Sequence, residues 1–446
     1  MSKFTALILL CAAQFMVILD ITVVNVALLS IQADLHVAPG DLQWVITAYT
    51  LAFGGLLLLG GRAADLLGRR RVFVTGLIVF TAASLGAALA PSPAALIVAR
   101  VLQGTGAAML SPAALSLVTT LHPEGPERRR ALTAWAAVAA GGSAVGVLAG
   151  GVLTELFDWR AIFLVNLPVG AAVALGARRR IPAQPGTHGR IDVAGALLAT
   201  GSLVALIYAL TRTPDAGWIS VQTLGLTALA AAGLTAFATV EARVRQPLIP
   251  LRVLRRRTTL VALALMIAGM GTVLSAFFFL TLYLQETLGH SALRTGLEFL
   301  PGALALIAAA HAGHRLPAKP ALAAGMTLAA GGALLLSGLP PHGSYVADVL
   351  PGLLTLDVGI GLAAPSVFIV GMAGVGHAEA GAVSGLLTTS HELGIAIVLP
   401  VLSTIALNGG EPFAVAAAIA IGAAVLALAG VRRGDAAPGP APAFVH

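Results

Sequence analysis

A chain of 446 residues in which 58% are hydrophobic and only 10% are charged, against about 25% charged in soluble domains, excludes a soluble enzyme or a soluble binding module. Its single cysteine, Cys11, excludes an internal disulfide and a cysteine metal cluster. The net charge of +7 is accounted for by anionic lipid headgroups without nucleic acid.

The apolar residues gather into runs near the roughly 20 residues needed to cross a bilayer core. Fourteen such runs are predicted as helices, with cores at 5–29, 42–60, 72–90, 94–118, 131–153, 161–177, 191–211, 221–240, 258–284, 294–312, 320–339, 347–372, 380–406 and 413–431. The connections are mostly short, which leaves no room for a separate soluble domain. Lys3 before an apolar run has the look of a secretory signal, but Asp20 and Asn25 interrupt the expected cleavage region, so the first run reads as an uncleaved helix.

Orientation follows from Lys and Arg, which accumulate on the cytoplasmic side of inner-membrane proteins. With the N-terminus inside, 22 of the 26 basic residues fall in cytoplasmic segments, Arg160, Arg212 and Arg294 fall outside, and Arg100 lies within a run. An even helix number then returns the C-terminus to the cytoplasm. Residues 434–446 are rich in Ala and Pro and are expected to form a disordered tail.

Asp20, Thr22 and Asn25 interrupt the first run. A charged side chain at bilayer depth costs from about 3 to over 10 kcal/mol, so such residues face a protein interior or a wet cavity. Asp20 therefore reads as a proton-binding carboxyl. The turn between the second and third runs carries Gly61, Asp65, Gly68, Arg69, Arg70 and Arg71; glycine allows the positive φ of a tight turn, and Asp65 is placed to cap the next helix or pair with an arginine. Arg100, buried in the fourth run, needs a partner: either Asp20 or backbone carbonyls that merely hold the bundle together. In the fifth run Gly142, Gly146 and Gly150 lie on one helical stripe. Small residues at this spacing let backbones approach closely, as a packing seam or as a surface that slides.

Thr272, Ser275, Phe279 and Tyr283 share one helical face of the ninth run. Aromatic and hydroxyl groups suit an amphipathic organic substrate, though such stripes also pack against neighbouring helices. Together with Asn25 they are assigned to a substrate cavity. Asp357, His391 and Glu392 are charges embedded in apolar surroundings. A histidine titrates near neutral pH, so a second proton site is proposed there, against plain hydrogen bonding between helices. His311 and His314 receive no role.

Several of these motifs resemble a known family. Gly61-x3-Asp65-x2-Gly68-Arg69-Arg70-Arg71 is similar to the loop signature of the major facilitator superfamily, and residues 19–28 resemble the first-helix motif of its fourteen-helix drug:proton antiporter branch. Arg100-x2-Gln103-Gly104-x-Gly106 resembles the superfamily's fourth-helix motif, and Trp159-Arg160-x2-Phe163-x2-Asn166-x-Pro168 the start of the branch's sixth helix. Leu29, Leu66 and Val147 depart from the pattern, the last replacing the proline of a fifth-helix motif associated with antiport.

The resemblance implies an all-α integral membrane protein with two six-helix bundles, 1–177 and 258–431, and a central insertion, 178–257, that adds two helices. It implies export of hydrophobic or cationic drugs in exchange for protons by alternating access, with no ATP, in a multi-pass protein of the cell membrane. Asp20, Arg100, Asp357, His391 and Glu392 are the candidate proton-coupling residues. No phosphate-binding Gly-x4-Gly-Lys-Ser/Thr loop is present in the sequence, and no cofactor or metal is expected. Two other classes share part of this pattern. A proton-coupled nutrient importer would have the same fold, and a membrane-embedded enzyme would need a catalytic constellation that the sequence does not display.

Overall fold

The structure is a computed structural model and describes residues 3–122, 125–183, 185–186, 193–244, 251–313 and 315–432. His314 and the expected tail at 434–446 lie outside them. The described residues are helical almost throughout: α1 (Lys3–Leu35), α2 (Trp44–Leu67), α3 (Arg69–Ala88), α4 (Pro93–Leu121), α5 (Pro126–Leu156), α6 (Ala161–Arg180), α7 (Val193–Ala216), α8 (Val221–Arg243), α9 (Arg257–Thr287), α10 (Ala292–Gly313), α11 (Ala318–Leu335), α12 (Tyr345–Met372), α13 (His377–Leu407) and α14 (Pro412–Gly430).

Among the described residues twelve of these helices are long and apolar enough to cross a membrane. The expected count was fourteen. In the other two, α5 and α7, the described apolar stretches are shorter, Gly141–Leu156 and Leu197–Leu210. The fourteen runs are nonetheless all helical, because inside a bilayer every backbone polar group must find its partner within its own segment.

The sequence also says where each helix starts and stops. Ser92 accepts a hydrogen bond from the Ala95 N–H at 3.3 Å and Pro93 opens α4. Ser220 caps α8 through the Thr223 N–H at 3.1 Å. Both are side-chain oxygens satisfying the free donors of a helix N-terminus. The turn between α2 and α3 is shorter than the motif suggested. Gly61 and Asp65 lie within α2, and Gly68, at φ 95°, is the one residue separating the helices. Only glycine holds that conformation without strain.

The chain divides into two units. The first comprises Met1–Ala196 with Ser291–Leu297, and the second begins at Leu197, so most of α7 and all of α8 fall with the second. In the first unit α4 packs along α2 and α3 around a core that includes Phe53, Phe73, Leu77, Phe80, Ala108 and Leu110. Glycines set the spacing: a Cβ on Gly104 would sit 2.3 Å from the Tyr49 carbonyl oxygen of α2, and one on Gly106 would sit 2.6 Å from the Phe80 nitrogen of α3. In the second unit the Thr404 hydroxyl of α13 donates to the Leu210 carbonyl of α7 at 2.9 Å. α8 is mostly exposed, with Leu224 and Leu229 on its surface. Within a bilayer that surface meets lipid, which is as apolar as leucine.

Candidate functional site

The site forms where α1, α3, α4 and α6 of the first unit meet. Asp20 and Gln103 are fully buried, and Arg100 and Asn166 are 1% exposed. Arg100 Nη1 donates to Asp20 Oδ2 at 2.5 Å. Gln103 Nε2 and Asn166 Nδ2 donate to the other carboxylate oxygen at 3.1 and 2.8 Å. Both amides also donate to the Ser84 hydroxyl, at 2.8 and 3.3 Å, and that hydroxyl donates onward to the Phe80 carbonyl at 3.0 Å. Arg100 is held further by the Val45 carbonyl at 2.9 Å, by Gln103 Oε1 at 3.0 Å, and by the Tyr49 ring, whose centroid lies 4.4 Å from its guanidinium. A buried ion pair is stabilised when its remaining lone pairs and protons are also bonded; here both Asp20 oxygens and three of the five Arg100 N–H groups are bonded.

The local sequence explains how these side chains converge. Arg100 and Gln103 are three apart and share a helical face, while Gly104 and Gly106 press α4 against α2 and α3. Trp159, Phe163 and Asn166 recur at four and then three residues, again one face. Asn166 reaches Asp20, Phe163 lies 5.8 Å from the Arg100 guanidinium, and the Trp159 indole N–H donates to Asp34 at the end of α1 at 3.1 Å. Arg160 pairs with the same Asp34 at 2.8 Å. The sequence reading quoted Gln103 and Asn166 as motif letters without assigning them partners, and it missed Ser84 and Tyr49.

The glycine stripe of α5 faces the same stretch of α1. A Cβ on Gly146 would fall 1.9 Å from the Thr22 hydroxyl, and one on Gly150 would fall 2.7 Å from the Val23 carbonyl; Gly142 abuts Ile18. Asn25 is 4% exposed, and its amide donates to the Ile21 carbonyl at 3.2 Å. At the other end of the unit Arg69 pairs with Asp65 at 3.4 Å and also contacts the Thr120 hydroxyl of α4, while Arg70 donates to the Ile181 carbonyl at 3.0 Å.

Compared with known families, residues 10–399 match the model of the Major Facilitator Superfamily. The chain belongs to the major facilitator superfamily. Within it the chain is 42% identical over 424 residues to the cephamycin export protein CmcT of Amycolatopsis lactamdurans, covering 92% of this chain and 86% of the relative. It is 41% identical to a puromycin resistance protein of Streptomyces alboniger, over 90% of this chain and 82% of that one. A lincomycin resistance protein of Streptomyces lincolnensis shares 36% identity over 96% of this chain and 91% of its own. Among solved structures, a POT family transporter superimposes with a TM-score of 0.69 at 15% identity, over 95% of this chain and 97% of that one, a likeness of fold. This member of the superfamily is thus a multi-pass membrane transporter of small molecules.

The candidates of the transporter's second unit are not gathered into one network. Thr272 and Ser275 are fully buried, and their hydroxyls have no hydrogen-bond partner among the described residues. Phe279 packs edge-on against Phe413 at 6.2 Å. Tyr283 begins a π-turn, Tyr283–Thr287, and its hydroxyl donates to the Pro340 carbonyl at 2.7 Å. The Tyr283 backbone N–H still bonds the Phe279 carbonyl, so the α-helical face of 272, 275 and 279 extends to Tyr283 and the wider turn begins there. His391 Nδ1 lies 3.1 Å from Glu392 Oε1, with the histidine side chain 40% exposed and the glutamate 8%. Asp357 is fully buried, neither carboxyl oxygen has a hydrogen-bond partner among the described residues, and it lies against Gly302 of α10, where a Cβ would fall 2.2 Å from Oδ2. His311 is exposed, with a ring nitrogen 3.4 Å from the Ile307 carbonyl.

Proposed function

We propose that this transporter exports antibiotics or other hydrophobic or cationic compounds in exchange for protons, by alternating access across the cell membrane and without ATP, and that Asp20 is the residue that carries the proton. The observation behind this reading is the chemistry around Asp20. All three groups that contact its carboxylate are hydrogen-bond donors, one of them cationic. A proton taken up by Asp20 removes the counter-charge of Arg100 and places an O–H against neighbours that donate rather than accept.

The magnitude suits a switch. Breaking a buried ion pair by removing one partner costs about 3–5 kcal/mol, and inverting a two-state population from 1:99 to 99:1 takes about 5.5 kcal/mol. Protonation of Asp20 is of that order, so it would disfavour this arrangement strongly enough to drive another. Both termini are placed in the cytoplasm by the positive-inside bias of Lys and Arg. Asn25, Thr272, Ser275, Phe279 and Tyr283 are proposed to meet substrate during the cycle. Asp357 and the His391–Glu392 pair are proposed as further places where a proton resides during the cycle.

The test is antibiotic susceptibility and energised uptake. Cells producing the wild type are challenged with a panel that includes a cephamycin, puromycin, lincomycin and lipophilic cationic dyes, and everted vesicles are assayed for uptake of any compound protected against. The proposal expects uptake that a protonophore abolishes and that Asp20→Asn lacks at matched expression. Protonophore-insensitive uptake would contradict proton exchange, and absence of protection across the panel would contradict drug export.

A further inference from the structure

Outside the Asp20 network, the first unit carries a cavity of about 380 Å³ between the start of α3 and the end of α6. That lies within the roughly 300–1,000 Å³ of small-molecule sites. Three guanidinium side chains line it, Arg70 and Arg71 from α3 and Arg178 from α6, together with apolar Leu67, Val74 and Ile78.

Several other arginines of the chain are paired with carboxylates. Arg69 is engaged by Asp65 and Thr120, and Arg160 by Asp34 and Asp158. In the second unit Arg252 and Arg256 share Glu379. Arg70 gives one N–H to the Ile181 carbonyl and, like Arg71 and Arg178, has no carboxylate partner among the described residues. Three positive charges thus converge without a negative one. The apolar side of the cavity is equally unusual for a surface site. Leu67 is 52% and Ile78 46% exposed, and Ile78 lies two turns along α3 from Arg71, in a helix long and apolar enough to span a bilayer. The charge sits at the helix ends and the apolar wall runs toward the membrane interior.

We infer that this groove holds an anionic glycerophospholipid of the bilayer, with its phosphate between Arg70, Arg71 and Arg178 and an acyl chain along Val74 and Ile78. A guanidinium fork matches phosphate oxygens bidentately, and basic pockets between membrane helices on the cytoplasmic side recognise anionic headgroups. Free phosphate offers the same charge but would leave the apolar wall unused. Because Arg70 and Arg71 lie in the first turn of α3, next to the Gly68 junction with α2, and Arg70 also clamps the end of α6, a lipid seated here fastens that junction to α6. Anionic lipid is therefore a structural partner of the junction, independently of which compound is transported.

The experiment uses the full chain purified in mild detergent and exchanged into nanodiscs of mixed phosphatidylglycerol and phosphatidylethanolamine, followed by native mass spectrometry of retained lipid. Wild-type protein retains phosphatidylglycerol selectively. Each basic side chain near a membrane surface contributes on the order of a factor of five, so the double variant Arg71→Gln/Arg178→Gln lowers retention roughly thirtyfold. Arg179→Gln, a neighbouring exposed arginine that does not line the groove, leaves it unchanged. Excess inorganic phosphate fails to displace the lipid. Equal retention by the double variant and the wild type overturns the site. Displacement by inorganic phosphate overturns the lipid as its occupant and assigns the groove to a soluble anion.

Discussion

Ser84 shows at the scale of one residue how the site is held. Its hydroxyl accepts from both Gln103 and Asn166, so one oxygen fixes the two amides that aim at Asp20. Ser84→Ala would leave two buried amide donors each with one partner fewer, a loss of about 1–3 kcal/mol. The expected result is a lower unfolding temperature in detergent with transport weakened but still proton-driven. Unchanged stability would show that the amides do not depend on Ser84. Asp357 is the opposite case, a buried carboxyl without a partner among the described residues. Since Asn has the size of the acid and carries no charge, Asp357→Asn is expected to leave the yield and stability of folded protein unchanged while altering the pH dependence of transport. A collapse in yield would instead show that the carboxyl is held by a structural bond.

At the scale of elements the glycine stripe makes a sharper prediction. The atom that opposes a side chain at Gly146 is the Thr22 hydroxyl, whereas at Gly150 it is the Val23 backbone carbonyl. A side chain gives way or is trimmed, and a backbone does not. Gly146→Ala should therefore lower stability and be rescued in large part by Thr22→Ala, while Gly150→Ala should be at least as harmful and not be rescued by Val23→Ala. Thermal stability of the four variants and two pairs measures this coupling. Additive effects at Gly146 and Thr22 would contradict the packing described. The same comparison explains what was legible. Spacing by four showed in the sequence that the glycines share a stripe, but which helix they meet, and whether through side chain or backbone, required the packing. Tyr283 shares the face of Thr272 by α-helical spacing, and its N–H keeps the α-helical bond to Phe279; the π-turn that begins there was not legible in the spacing.

Across the whole molecule, the membrane class and the superfamily were readable because apolar runs, glycine placement and basic residues each repeat many times over the chain. The pairing of Asp20 with Arg100 was readable for a different reason: charges inside a membrane are few, so each has few partners to choose from. Ser84 was not, since a lone serine in an apolar helix gives no sign of what it faces. For α7 and α8 the structure shows a hydrogen bond from Thr404 to the Leu210 carbonyl of α7 and an exposed apolar face on α8.

The central claim is that the proton exchanged for substrate resides on Asp20. It is tested most directly by adding a transported compound to purified protein in weakly buffered detergent solution and following pH with an indicator dye. Substrate is expected to release protons from the wild type, the release to vanish in Asp20→Asn, and Asp20→Asn still to bind the compound. Undiminished proton release from Asp20→Asn would place the exchanged proton on another residue.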